Sequence, residues 1–119
     1  MLASEAIHDA FCTFAHKGQA EFGVAVGRYV IMPDHLHLFV RLPASMRLSD
    51  WVRQMKRTLT LAWPPQKAAW QRGFFDHLIR HGESYAGKWE YVRMNPVRAG
   101  LVACAEEWAF QGEIVPIPY

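Results

Sequence analysis

The stretch Val24-Ala25-Val26-Gly27-Arg28-Tyr29-Val30-Ile31-Met32-Pro33-Asp34-His35-Leu36-His37-Leu38-Phe39-Val40-Arg41-Leu42 decides how the rest of the chain is read. It is rich in β-branched and aromatic residues, which suit a pleated, half-buried surface. One triplet, Met32-Pro33-Asp34, interrupts it. Proline fixes φ and aspartate bonds back to nearby backbone, so the triplet makes a tight turn between antiparallel strands. The expectation is a hairpin of residues 24–31 and 35–42, ended by Pro43. On the second strand side chains alternate, so His35 and His37 share one face, with Cβ atoms roughly 6.5–7 Å apart. Leu36, Leu38 and Val40 then point to the other face and pack under a helix.

Upstream, residues 4–20 read as a helix: Ile7, Phe11, Phe14 and Ala15 follow the spacing of one apolar face, and Ser4 caps the start. Gly18 and Gly23 punctuate the chain before the hairpin. Downstream, Ser49-Asp50 caps a helix that runs to about residue 63 and stops at Pro64-Pro65. Val52, Met55, Leu59 and Ala62 form its core face; Arg53, Lys56, Arg57 and Thr60 form a basic one. Residues 69–80, with Trp70, Phe74, Phe75, Leu78 and Ile79, are the best remaining strand. A last helix begins near Glu83 or Ser84 and stops before Pro96, followed by a strand-poor tail. Helix, hairpin, helix, strand, helix is an α+β order, with helices packed on one face of an antiparallel sheet.

Composition bounds the function classes. The 119 residues suit one domain, 1–119, and bury roughly 60–70% of the unfolded surface without metal or disulfide staples. A hydrophobic content of 51% with 20% charged residues excludes a disordered chain. Five Trp, seven Phe and four Tyr must fill the core or line a groove. Lys+Arg 13 against Asp+Glu 11 leaves a formal charge of +2, too small to name a nucleic-acid partner. Cys12 and Cys104 show no metal spacing and read as buried free thiols in a reducing cytoplasm. Neither a secretory leader nor a membrane-spanning run is legible.

Two groups of residues carry chemistry. His35 and His37, on one strand face, can converge on one cation, although a strand supplies two ligands and a third must come from elsewhere. By itself such a pair is more often a solvated polar stripe. The second group is Trp89-Glu90-Tyr91-Val92-Arg93-Met94-Asn95-Pro96, in which Tyr91 and Asn95 stand at i and i+4 on one helix face. Alone, Asn95 reads as a helix C-cap and Tyr91 as a core or interface residue. Together with the histidines they offer a hydroxyl nucleophile, an amide oxygen and a metal-type pair.

Three strings in order then carry a family resemblance. Met32-Pro33-Asp34-His35-Leu36-His37 resembles the His-hydrophobic-His motif of single-tyrosine transposases. Trp70-Gln71-Arg72-Gly73-Phe74-Phe75-Asp76-His77 and the segment from Tyr91 through Asn95-Pro96-Val97-Arg98-Ala99-Gly100-Leu101-Val102 resemble the REP-associated branch of that group. The resemblance implies a ferredoxin-like βαββαβ core, here short of the strand that relatives carry before the first helix. It implies a divalent metal, Mg²⁺ or Mn²⁺, on His35 and His37, with Asn95 completing the site and Tyr91 as nucleophile. The implied reaction, in a bacterial cytoplasm, is nicking of single-stranded or hairpin DNA through a 5′-phosphotyrosine, with strand transfer by a 3′-OH. Relatives occur as homodimers with exchanged helices and as monomers.

A phenol of pKa ~10 is only about 0.1% ionised at neutral pH and needs help as a nucleophile. A cation on the scissile phosphate supplies it by neutralising developing charge. Imidazole suits Mn²⁺ better than Mg²⁺, which prefers oxygen. Candidate phosphate contacts are Arg53, Lys56 and Arg57 on the middle helix and Lys88, Arg93 and Arg98 around the tyrosine. Trp51, Trp70 and Trp89 are candidate base-stacking residues, each more often core. His77 and His81 read as fold or surface residues, and Tyr85 is a rival nucleophile without an Asn at i+4. Asp34 either joins the metal or raises the basicity of the histidines. Two other classes stay open: a DNA-hairpin-binding protein without turnover, and an unrelated metal-dependent hydrolase that leaves Tyr91 idle.

Overall fold

Ser4 opens helix α1 (Glu5–Phe22) from an extended conformation, its hydroxyl accepting the Ile7 backbone N–H at 3.3 Å. The computed structural model describes residues 3–62, 75–77 and 85–117. Ile7, Phe11, Ala15 and Gly18 form the buried face of α1. Gly23 ends the helix at φ 72, and the N–H groups of Gly23 and Val24 return to Gln19 and Gly18. That left-handed closure favours a residue without a Cβ. The expected hairpin follows as β1 (Ala25–Ile31) and β2 (Leu36–Arg41), antiparallel, with Met32 N–H donating to the His35 carbonyl across the Pro33-Asp34 turn.

Helix α2 (Leu48–Leu61) starts before the expected cap. Arg47 is its N-cap and makes no side-chain cap bond, so Ser49 and Asp50 lie inside the first turn, where Asp50 pairs with Arg53 at 2.6 Å. Trp51, Met55 and Leu59 are its buried residues. The Pro64-Pro65 stop lies outside the described residues, as do Trp70, His81 and most of the expected strand 69–80. Of that strand Phe75–His77 is described, as β3.

The described sheet has the order β3-β2-β1-β4. β3 runs parallel to β2, the arrangement that a helical crossover such as α2 permits. The strand-poor tail supplies the opposite edge: β4 (Gln111–Glu113) pairs antiparallel with β1. The ladder is prolonged by Ile31 N–H to the Phe110 carbonyl and Val115 N–H to the Val26 carbonyl. The antiparallel part of this α+β sheet is therefore β2-β1-β4.

The two faces carry different cores. Val24, Val26, Tyr29, Ile31, Leu36, Leu38 and Val40 join Ile7, Phe11, Trp51, Met55 and Leu59 under α1 and α2. A bulge between Val26 and Tyr29 resets the alternation of β1, which is how both side chains reach that face. On the opposite face Val30, Met32 and Phe39 pack with Val92 and Trp89 of α3 (Tyr85–Arg93). α1 and α2 thus share one face as expected, and the tyrosine helix takes the other.

The tyrosine helix stops before Pro96 as expected, at Arg93. A separate turn, α4 (Asn95–Arg98), begins with Pro96 in its first positions, where a missing N–H is tolerated. Asn95 is accordingly the start of α4 and not a C-cap, and Tyr91 and Asn95 do not share one continuous helix. Gly100, at φ 75, closes this segment.

Candidate functional site

His35 and His37 share a face, as the period of a strand requires, and their rings meet edge to face with centroids 4.8 Å apart. Their Nε2 atoms are 3.1 Å apart. Two nitrogens held at roughly 2.1 Å from one cation, near a right angle, stand about 3.0 Å apart, so the pair fits a divalent metal. A single shared proton would fit the same spacing. Asp34 Oδ1 lies 2.7 Å from His35 Nδ1. Since a carboxylate accepts, that contact places the His35 proton on Nδ1 and leaves the Nε2 lone pair facing His37. Asp34 therefore sits behind the ring, as a support for the histidine, and not beside Nε2. Among the described residues no third His, Cys, Asp or Glu completes a metal cluster. The amide of Asn95 remains the helix-borne candidate.

The helix carrying Tyr91 is pinned to the histidine face of the sheet. Val92 is 4% exposed and rests on Val30, Met32 and Phe39, and Val30 is the ladder partner of His37. One turn earlier, Trp89 meets Phe39 edge to face at 5.9 Å, with the Arg28 guanidinium 5.1 Å from its ring. Trp89 thus anchors α3, and Trp51, 2% exposed, is core. Tyr91 itself projects to solvent, 67% exposed. Tyr29 is the opposite case: buried, with its hydroxyl 2.6 Å from His8 Nε2 and 3.3 Å from Cys12 Sγ. Burial, and then the Cys12 contact, push its phenol above the ordinary value.

Arg98 lies over the Tyr91 ring at 4.1 Å. The same guanidinium donates to the Tyr91 carbonyl at 2.7 Å and to Asn95 Oδ1. The other end of that amide, Asn95 Nδ2, is buried and has no hydrogen-bond partner among the described residues. Arg93 is held by Glu90 at 3.1 Å and Glu106 at 3.3 Å, which occupies much of its charge. Lys88 lies on α3, half-buried.

The expected site residues are therefore divided by the sheet. His35, His37, Tyr91 and Asn95, with Lys88, Arg93 and Arg98, belong to the α3 side. Arg53, Lys56 and Arg57 belong to α2, whose core residues pack on the other face. A groove of about 720 Å³ between α1 and α2, lined by Phe14, Phe22, Trp51 and Arg57 among others, also lies on that far side. His77 lies on β3 and Tyr85 opens α3. Cys104 is exposed rather than buried, and hydrogen bonding to Glu107 pushes its thiol up. Sequence reasoning missed how closely Arg98 is tied to the tyrosine. Its position three residues after Asn95 was the available signal.

The α+β sheet carries two strand histidines on the face against which the tyrosine-bearing helix packs. The chain belongs to the IS200-like transposase family, whose model, described as Transposase IS200 like, matches residues 1–92. It is 31% identical over 86 residues to an Escherichia coli (strain K12) protein described as a REP-associated tyrosine transposase, covering 71% of this chain and 52% of that protein. It is 30% identical over 94 residues to a Haemophilus influenzae protein provisionally given the same description, covering 67% and 53%. An uncharacterized Haemophilus influenzae protein is 28% identical over 100 residues, covering 62% and 55%. The chain spans about half the length of the curated relatives it matches. No solved structure matches it to the same standard. Among the described residues no helix is long and apolar enough to cross a membrane.

Proposed function

We propose that this chain nicks and rejoins single-stranded DNA flanked by hairpins of the REP type, with Tyr91 as nucleophile. The observation that carries the reading is the convergence of the two Nε2 atoms, 3.1 Å apart, on the sheet face that holds the tyrosine helix. His35, His37 and the Asn95 amide oxygen would hold a divalent cation. Bound there, Mg²⁺ or Mn²⁺ supplies a Lewis acid for the scissile phosphate. The Tyr91 oxygen attacks phosphorus and loses its proton as the new P–O bond forms. The bond to the 3′ oxygen breaks, and that oxygen takes up a proton to leave as a 3′-OH. One phosphodiester replaces another, so no nucleotide triphosphate is consumed. Attack by a different 3′-OH reverses the step and joins strands.

Arg98, whose guanidinium lies over the Tyr91 ring, is the candidate phosphate contact beside the tyrosine, with Lys88 on the same helix as Tyr91 and Arg93 partly neutralised by its two glutamates. A second reading, a hairpin-binding protein without turnover, is favoured by one observation: the Asn95 oxygen is committed to Arg98. Labelled hairpin oligonucleotides, incubated with Mg²⁺ or Mn²⁺ and run on a denaturing gel, separate the two. A covalent adduct that disappears in Tyr91→Phe supports nicking. Binding without adduct in either metal supports the second reading.

A further inference from the structure

His8 and Cys12 stand at i and i+4 on α1, so both side chains leave the same face of the helix one turn apart. The hydroxyl of Tyr29, on β1, reaches both: it lies 2.6 Å from His8 Nε2 and 3.3 Å from Cys12 Sγ. An imidazole nitrogen, a thiol sulfur and a phenol oxygen therefore meet at one point. Their surroundings are apolar side chain or backbone. Phe110 meets the His8 ring edge to face at 5.9 Å, and Gly112 lies so near that a Cβ there would stand 2.9 Å from the hydroxyl. Tyr29 is buried while His8 and Cys12 are half-buried, so solvent reaches the cluster along α1. The sheet separates this cluster from the histidine pair. Tyr29 belongs to the core under α1 and α2, whereas Val30, the ladder partner of His37, packs against α3. The proposed nicking reaction uses none of the three groups.

We infer that His8, Cys12 and Tyr29 form a second metal site, for a borderline-soft divalent cation of the Zn²⁺ type, that clamps α1 to the sheet. Thiolate and imidazole select such an ion over Mg²⁺, which prefers oxygen. Donor atoms around a tetrahedral Zn²⁺, at about 2.3 Å for sulfur and about 2.0–2.1 Å for nitrogen and oxygen, stand roughly 3.3–3.6 Å apart. The sulfur–oxygen spacing of 3.3 Å already has that value. The nitrogen–oxygen spacing of 2.6 Å, a hydrogen bond without the ion, opens by about 0.7 Å with a turn of the half-buried imidazole. The charges balance as well. Binding releases the thiol and phenol protons to solvent, and a thiolate, a phenolate and a neutral imidazole around a divalent ion sum to zero. A neutral assembly suits apolar walls, where a net charge is costly. Water takes the fourth position from the side open to solvent. The ion binds the folded chain and so stabilises it.

The test reads binding and not DNA cleavage, so it stands apart from the Tyr91 adduct. Co²⁺ is titrated into the protein as a spectroscopic stand-in for Zn²⁺. A thiolate ligand gives a sulfur-to-metal absorption band in the near ultraviolet, which His35 and His37, offering nitrogen alone, do not produce. The band is expected in the unsubstituted protein and in Cys104→Ser, and is lost in Cys12→Ser. His8→Ala and Tyr29→Phe should each need at least about 10-fold more Co²⁺, since even the supporting partners of metal ligands carry that much. No band in the unsubstituted protein, a band that survives Cys12→Ser, or unchanged affinity in either of the other two variants overturns the site. A second measurement, on the unsubstituted protein, covers a variant that fails to fold. A metal-bound thiolate is withdrawn from reaction, so Zn²⁺ should slow alkylation of Cys12 by iodoacetamide at least about 10-fold relative to exposed Cys104. Mass spectrometry of the two cysteine peptides reads both rates. A Cys12 rate that Zn²⁺ does not slow relative to Cys104 overturns the site.

Discussion

His35 and His37 turn their Nε2 atoms toward each other at 3.1 Å, with Asp34 bonded at 2.7 Å to the far nitrogen of His35. The geometry comes from local rules. Alternation along a strand puts both rings on one face, and the tight turn brings Asp34 back against the first of them. A carboxylate behind a ligating imidazole fixes its tautomer and raises its donor strength.

Asp34→Ala is therefore expected to weaken Mn²⁺ binding by about 10–100-fold while leaving the fold intact, because supporting partners of metal ligands typically carry that much. Asp34→Asn, which still accepts from Nδ1–H without the charge, should fall between. Titration calorimetry checks both, and affinity unchanged in Asp34→Ala would place the carboxylate outside the site's function.

The basic residues on α2 offer a second check. Arg53 is spent largely on Asp50 and points away from the histidine face. Replacing Arg53, Lys56 and Arg57 by alanine should leave adduct formation within about 2-fold, whereas Arg98→Ala should lower it at least 10-fold, since one charge-assisted phosphate contact is worth about 1.5–3 kcal/mol. Gel assays at fixed ionic strength compare them, because salt alone shifts such affinities.

Tyr29 gives the molecule an alkaline weakness. Its folded phenol titrates above the ordinary value of about 10 that the unfolded chain shows. Above that pH the unfolded chain binds fewer protons than the native one, so stability falls as pH rises. Below it the contribution is fully present. Tyr29→Phe should be less stable at neutral pH by about 1 kcal/mol, for the lost hydroxyl contacts, and should show a shallower decline above pH 10. Urea unfolding across pH reads both.

Gly112 lies on β4 directly against that phenol. A Cβ there would stand 2.9 Å from the Tyr29 hydroxyl, and the ring is held by His8 and cannot easily yield. Gly112→Ala should lose about 1–3 kcal/mol through overpacking, and Tyr29→Phe in the same chain should restore part of it. A thermal melt of the single and double variants decides; additive losses would mean the clash is not with the hydroxyl.

Much of this was legible because it is local. Ser4, the Pro33-Asp34 turn and the alternation Leu36, Leu38, Val40 against His35, His37 each follow from neighbours in sequence. The bulge after Val26 was signalled only weakly, by Gly27 inside a strand. Three features escaped, the first two because they depend on distant partners. β4 exists because β1 offers an edge. Helix α3 lies opposite α2 because Trp89 and Val92 match Val30, Met32 and Phe39. Asn95 begins α4, and its oxygen is taken by Arg98, a contact that composition and periodicity do not encode.

The most direct measurement is the identity of the residue joined to DNA. A hairpin oligonucleotide is incubated with the protein and Mn²⁺, the complex is digested, and the modified peptide is sequenced by mass spectrometry. The expected product is a peptide carrying a 5′-phosphonucleotide on Tyr91, absent in Tyr91→Phe and in His37→Ala. An adduct on any other residue, or one that survives Tyr91→Phe, would contradict the assignment of Tyr91 as nucleophile.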